Sequence, residues 1–194
     1  MIALPASADS IRNNEYWLSE YGIRAAWTTT QGEGVTIAII DTGVDGSVRE
    51  LAGAVVGGAD FSGLGSSNGQ TPVGSENSEH GTLVASLAAG RGTGGNNGVI
   101  GSAPAASILS ISVGFGEGTT SSDDQIAEAV RWAVDNGADV INMSLTRNTL
   151  EWPESWDDAF LYAMEHDVVV VAAAGNRASG TTRSEEHTSE LQSR

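Results

Sequence analysis

The 194-residue chain contains no cysteine. That removes disulfide scaffolds, thiolate metal sites and cysteine nucleophiles together. Histidine is scarce: His80, His166 and His187 are too few for a multi-histidine metal centre. Basic side chains are few as well, 9 Lys and Arg against 25 Asp and Glu, for a net charge of −16. Such a surface repels phosphate backbones and argues against a nucleic-acid partner. Long apolar runs are missing. The longest, Val168 to Ala174, is strand-sized, whereas a membrane-spanning helix needs about 18 apolar residues or more. Glycine, by contrast, is plentiful at 25 residues, which implies many tight turns and close backbone approaches. The 40% hydrophobic content is enough for a buried core, and the length suits one domain or the larger part of one.

Both ends read differently from the middle. Residues 1–13 contain Ala6-Ser7-Ala8, a small-residue pattern like the end of a secretory signal, without a basic region or full apolar stretch before it. A signal-peptide remnant and an ordinary N-terminal arm both fit. Residues 183–194, Arg-Ser-Glu-Glu-His-Thr-Ser-Glu-Leu-Gln-Ser-Arg, have no period and one aliphatic residue. They resemble the conceptual translation of a sequencing-adapter oligonucleotide. We expect the natural protein to continue past Thr182 and leave the segment, with His187, out of fold reasoning.

Between these ends, residues 14–182 alternate strand and helix patterns. Gly34 to Ile40 is a short β-branched run that ends at Asp41, and Ser107 to Val113 and Val168 to Ala172 are similar. Asp139 to Met143 is a shorter one. Continuous apolarity over strand length indicates strands covered on both faces. A helix is expected from an N-cap at Ser122 to Asn136-Gly137, with Ile126, Val130, Ala133 and Val134 inward. A second starts at Ser155, with Phe160, Leu161 and Met164 on one face, and a third near His80 carries Leu83, Val84 and Leu87 inward. Ser62 to Ser78 and Gly90 to Gly98 read as loops. The pattern predicts an α/β fold: a parallel sheet with helices on both faces.

Candidate chemistry gathers at strand ends. Asp41, in Asp41-Thr42-Gly43, follows a buried strand, where ligand crevices form in open α/β sheets. A turn-forming Asp would look the same. His80 begins a predicted helix, whose positive end disfavours imidazolium and suits a neutral general base, although a surface histidine is the plainer reading. Asn176, after Ala174-Gly175, could donate to an oxyanion or merely sit in a loop. Trp17 and Trp27 precede the first strand and anchor that arm, while Trp132 and Trp156 read as packing.

Taken in order, Ile39-Ile40-Asp41-Thr42-Gly43-Val44-Asp45, Glu79-His80-Gly81-Thr82-Leu83-Val84-Ala85 and Ala172-Ala173-Ala174-Gly175-Asn176 resemble the subtilisin-like serine proteases. Gly98 to Pro104 and Ala138 to Leu145 also look like that family's segments. The resemblance runs from about residue 14 to 180. It implies a subtilisin-like fold, incomplete at its C-terminus, and a Ser-His-Asp endopeptidase acting on an extended polypeptide. Asp41 would orient the base, His80 would move the proton, and Asn176 would bind the oxyanion. It further implies substrate contacts at Ser144, Leu145 and Thr146, at Gly118, Thr119 and Thr120, and at Gly175. Thr146 departs from the family, which usually has Gly there, and this puts the depth of the specificity pocket in question.

No cofactor is required by this chemistry. Family members often bind calcium, and Glu50, Asn96 and Asn97 are the candidate ligands, a thin set for a hard cation. The family's serine lies in a Gly-Thr-Ser-type motif downstream of the oxyanion Asn. Ser179 is too close to Asn176, and Ser184, Ser189 and Ser193 fall in the adapter-like tail. We therefore expect the chain as it stands to be inactive, its parent to be a secreted or cell-surface monomeric protease, and a catalytically dead peptide-binding module to be the alternative.

Overall fold

A computed structural model describes residues 10–75, 77–115, 120–145 and 152–173. Three short helices, α1 (Ser10–Asn14), α2 (Trp17–Glu20) and α3 (Ile23–Ala26), form an arm before the first strand, β1 (Thr36–Asp41). The chain continues through a 3-10 turn (Arg49–Leu51), β2 (Val55–Asp60), α4 (His80–Ala89), β3 (Ser107–Ser112), α5 (Ser122–Asp135), β4 (Val140–Met143), α6 (Glu154–Glu165) and β5 (Val169–Ala172). The five strands pair in parallel in the order β2-β3-β1-β4-β5.

The alternation along β1 explains the two-sided covering. Ile37 and Ile39 join Val44, Leu51, Ala85, Ala89 and Ile108 under α4. Ala38 and Ile40 face the other way, into a cluster with Ile111, Val130, Ile141, Ala159 and Phe160 under α5 and α6. Each fully buried Ile or Val contributes about 1.5–3 kcal/mol, so a central strand with both faces filled anchors the sheet. The expected α/β architecture, a parallel sheet with helices on both faces, is what forms.

The structure adds one strand to the sequence reading and corrects it at three helices. Strand β2 is not visible as an apolar run, because Gly57 and Gly58 interrupt it. A Cβ at Gly58 would collide with the carbonyl oxygens of Ser110 and Asn68, so packing demands glycine where strand propensity does not. The N-cap of α5 is Ser121, whose hydroxyl accepts the Asp124 N–H at 3.2 Å; the Ser122 hydroxyl instead donates to Gly114 O. Helix α6 starts at Glu154 behind Pro153, and it buries Trp156, Ala159, Phe160 and Ala163 while Leu161 and Met164 are exposed.

Helix α4 turns the other way from the expected orientation too. Its buried residues are Gly81, Thr82, Ala85, Ser86 and Ala89, whereas Leu83 and Leu87 lie 63% and 51% exposed. Small residues face the sheet because the helix lies close against it; the large ones have no room there. Val84 alone of the three expected inward residues packs against the core. Three of the tryptophans behave as expected: Trp27 Nε1 donates to Ser102 O at 2.8 Å, Trp132 packs against the core, and Trp156 is buried with Nε1 on Asp123 O at 3.0 Å.

Candidate active site

Strand order places the site. From β1 the chain builds β2 and β3 on one side, then crosses to build β4 and β5 on the other. The carboxyl end of β1 is therefore the switch point, where the flanking connections diverge and leave a crevice. Asp41 is the last residue of β1 and is fully buried.

Across the crevice, α4 begins with His80. Its Nδ1 lies 2.9 Å from each carboxylate oxygen of Asp41. A carboxylate only accepts, so Nδ1 carries a proton, and in the neutral form of the ring Nε2 presents its lone pair. The imidazole is 48% exposed while its partner is sealed from water. The geometry thus leaves the reactive nitrogen on the open side and the orienting charge in low dielectric, where it acts most strongly.

Thr42 fastens these parts together. Its backbone N–H donates to Asp41 Oδ1 at 2.7 Å, its hydroxyl donates to Ser78 O at 2.7 Å, and the same oxygen accepts the Gly81 N–H at 3.0 Å. Helix α4 has no side-chain cap of its own from Glu79. Thr42 supplies one in tertiary structure by satisfying an otherwise unpaired N–H of the first turn. Gly81 is obligatory here: a Cβ would strike Gly43 O and crowd Asp41 Cβ. Beside the pair opens a cleft of about 180 Å³, lined by Thr42, Leu64, Val73, Val113, Gly114 and Phe115.

Of the other expected site residues, Ser144 and Leu145 follow β4 at the same end of the sheet and are half-buried. Thr120 is exposed just before α5. Gly118, Thr119, Thr146, Gly175 and Asn176 lie outside the described residues. Asn96 and Asn97 lie in a hairpin at 91–100, and Glu50 Oε1 lies beside its Gly98. Among the described residues no group of three or more His, Asp or Glu side chains is arranged to hold a metal.

Two residues were not singled out from sequence. Gln125 is almost fully buried; its side chain accepts the Gly114 N–H at 2.7 Å and donates to Thr120 O at 2.9 Å, tying both ends of the segment that carries candidate substrate residues. Asp60 ends β2 and gathers Ser62, Ser112 and the Gly65 N–H. Burial raises its pKa, but the hydrogen bonds from Ser62, Ser112 and Gly65 outweigh that and hold it below the usual 3.8. A glutamine among helix-facing apolar positions was the one available signal for Gln125.

A buried carboxylate thus braces a half-exposed imidazole at the switch point of a parallel sheet. The comparisons supply the class: the subtilase-family profile matches residues 32–193, and the chain belongs to that family. It is similar to thermitase of Thermoactinomyces vulgaris, 40% identical, covering 84% of this chain and 57% of the relative. It also resembles an intracellular serine protease of Paenibacillus polymyxa, 33% identical over 84% of this chain and 48% of the relative. The crystal structure of fervidolysin from Fervidobacterium pennivorans, a keratinolytic enzyme related to subtilisin, superposes with a TM-score of 0.63 at 30% identity, covering 94% of this chain and 28% of that one. The chain thus spans between about a quarter and just over half of these relatives.

Proposed function

We propose that the chain carries the acid–base part of a subtilisin-like serine endopeptidase that cleaves extended polypeptides. One observation carries this reading: Asp41 and His80 meet at 2.9 Å at the sheet's switch point, with Nε2 left on the open side. In the reaction, a serine hydroxyl attacks the scissile carbonyl as its proton passes to His80 Nε2. Asp41 stabilises the imidazolium without taking the proton. His80 then gives that proton to the leaving amine as the C–N bond breaks, and water resolves the acyl-enzyme by the same route. Asn176 donates its side-chain N–H to the tetrahedral oxyanion. Ser144 and Leu145, at the end of β4, pair with the substrate backbone, with Thr146, Gly175 and the Gly118-Thr119-Thr120 segment around it.

No serine after Asn176 stands in a Gly-Thr-Ser-type motif, so we infer that these 194 residues alone do not turn over substrate. An extracellular setting is supported by Ala6-Ser7-Ala8 and the lack of cysteine; a relative named as intracellular points the other way.

The test is to amplify the source gene across codon 183, express the full reading frame and treat it with a fluorophosphonate probe. A downstream Gly-Thr-Ser motif, probe labelling at that serine, and loss of about 10⁶-fold in kcat in His80→Ala support the proposal. A frame that continues without the serine, and a protein that binds peptide without cutting it, would leave the peptide-binding module.

A further inference from the structure

The structure assigns the cation of the 91–100 hairpin to Arg12 of the N-terminal arm, in place of a calcium ion. The hairpin is closed by paired contacts between Arg91 and Ile100 and between Gly94 and Asn97. Its outward carbonyls are the oxygens a hard cation would need. Arg12 already uses them: Nε donates to Gly98 O at 3.0 Å and Nη2 to Asn97 O at 3.2 Å. The same Nε pairs with Glu15 Oε2 at 3.1 Å, and Glu15 Oε1 accepts the Ile100 N–H at 2.8 Å. Both side chains are nearly sealed, at 13% and 5% exposure. Arm and hairpin are thus joined by one charged cluster.

The loop is shaped for the arginine. Gly92 has φ +66, and a Cβ there would run into Arg12 Nη2. Asn97 O also accepts the Thr93 N–H at 2.8 Å, so that carbonyl is committed twice. Calcium takes 6–8 oxygens at about 2.3–2.6 Å. Here the side-chain carboxylates are Glu15, spent on Arg12 and Ile100, and Glu50, whose Oε1 lies against Gly98. A doubly charged ion beside the Arg12 guanidinium would meet repulsion and too few free ligands. The candidate ligands Glu50, Asn96 and Asn97 do not fit calcium, and a guanidinium does by geometry what the ion would do by charge.

Thermal unfolding of the full chain, with millimolar calcium or with EDTA, tests this. Wild type is expected to unfold at one temperature in both. Arg12→Ala leaves a buried carboxylate without its cation and is expected to lower the midpoint by roughly 5–10 °C in both. Arg12→Lys, a single point charge that cannot span two carbonyls and Glu15, is expected to fall between, and serves if Arg12→Ala does not fold. Gly92→Ala should mimic the loss. Two results would overturn the assignment: a wild-type midpoint that rises with calcium and no longer does so in Glu50→Gln, or an Arg12→Ala that unfolds with wild type.

Discussion

At the scale of single residues, orientation explains more than charge. Asp41 shares the Nδ1 proton of His80 between two equidistant oxygens, while Thr42 holds the backbone beside it. Asp41→Asn keeps the shape but offers the ring an NH₂ group, so the neutral imidazole should shift its proton to Nε2. Nitrogen chemical shifts of His80 in this chain would show the tautomer directly; an unchanged Nδ1–H form would refute the bracing role. In the serine-bearing protein the same change should cost about 10⁴-fold in kcat. Asp60 makes a separate prediction, about acid. Its folded pKa is depressed, so its contribution is fully present above the unfolded value of 3.8 and is lost as pH falls through the folded one. Asp60→Asn should therefore destabilise near neutral pH and approach wild type as pH falls from above 3.8 through the lowered folded pKa, as unfolding midpoints across that range would report.

At the scale of elements, helix α4 shows what patterning can mislead about. The large residues at Leu83 and Leu87 mark the solvent side and the small ones at Ala85 and Ala89 mark the core. Leu87→Ser should change stability by no more than about 0.5 kcal/mol, whereas Ala85→Leu should cost about 1–3 kcal/mol by overpacking the helix against β1; urea midpoints separate the two. The reverse ranking would mean that α4 is turned about its axis. The same helix explains which parts of the fold were legible. Strands β1 and β3 announce themselves as apolar runs because both faces are covered; β5 reads the same way although one of its faces, with Val169 and Val171, is exposed. Asp41 and His80 stand out because they end one element and start another. β2 does not, since Gly57 answers to the Leu109 side chain of β3, and Gly58 to the backbone of β3 and of the Asn68 loop. Thr42 was silent because a threonine in a turn acquires its role only from Ser78 and Gly81, far along the chain, and Gln125 gave only the weak signal of an amide among apolar helix positions.

At the scale of the molecule, two properties oppose each other. β5 ends the described sheet order, and Val169 and Val171 lie 57% and 48% exposed on it, an edge strand with an apolar row. Such an edge invites pairing with another copy. The net charge of −16 resists that encounter at long range. The resistance depends on ionic strength, because the Debye length falls from about 30 Å at 0.01 M salt to about 8 Å at 0.15 M. Self-association, followed by light scattering, should therefore rise steeply with salt over that range. Threonine at both positions keeps strand propensity and branching while removing the apolar row. The double variant Val169→Thr, Val171→Thr should stay dispersed at the salt concentration where wild type begins to scatter. If it scatters equally, β5 is not the contact, and the exposed leucines of α4 become the next face to test.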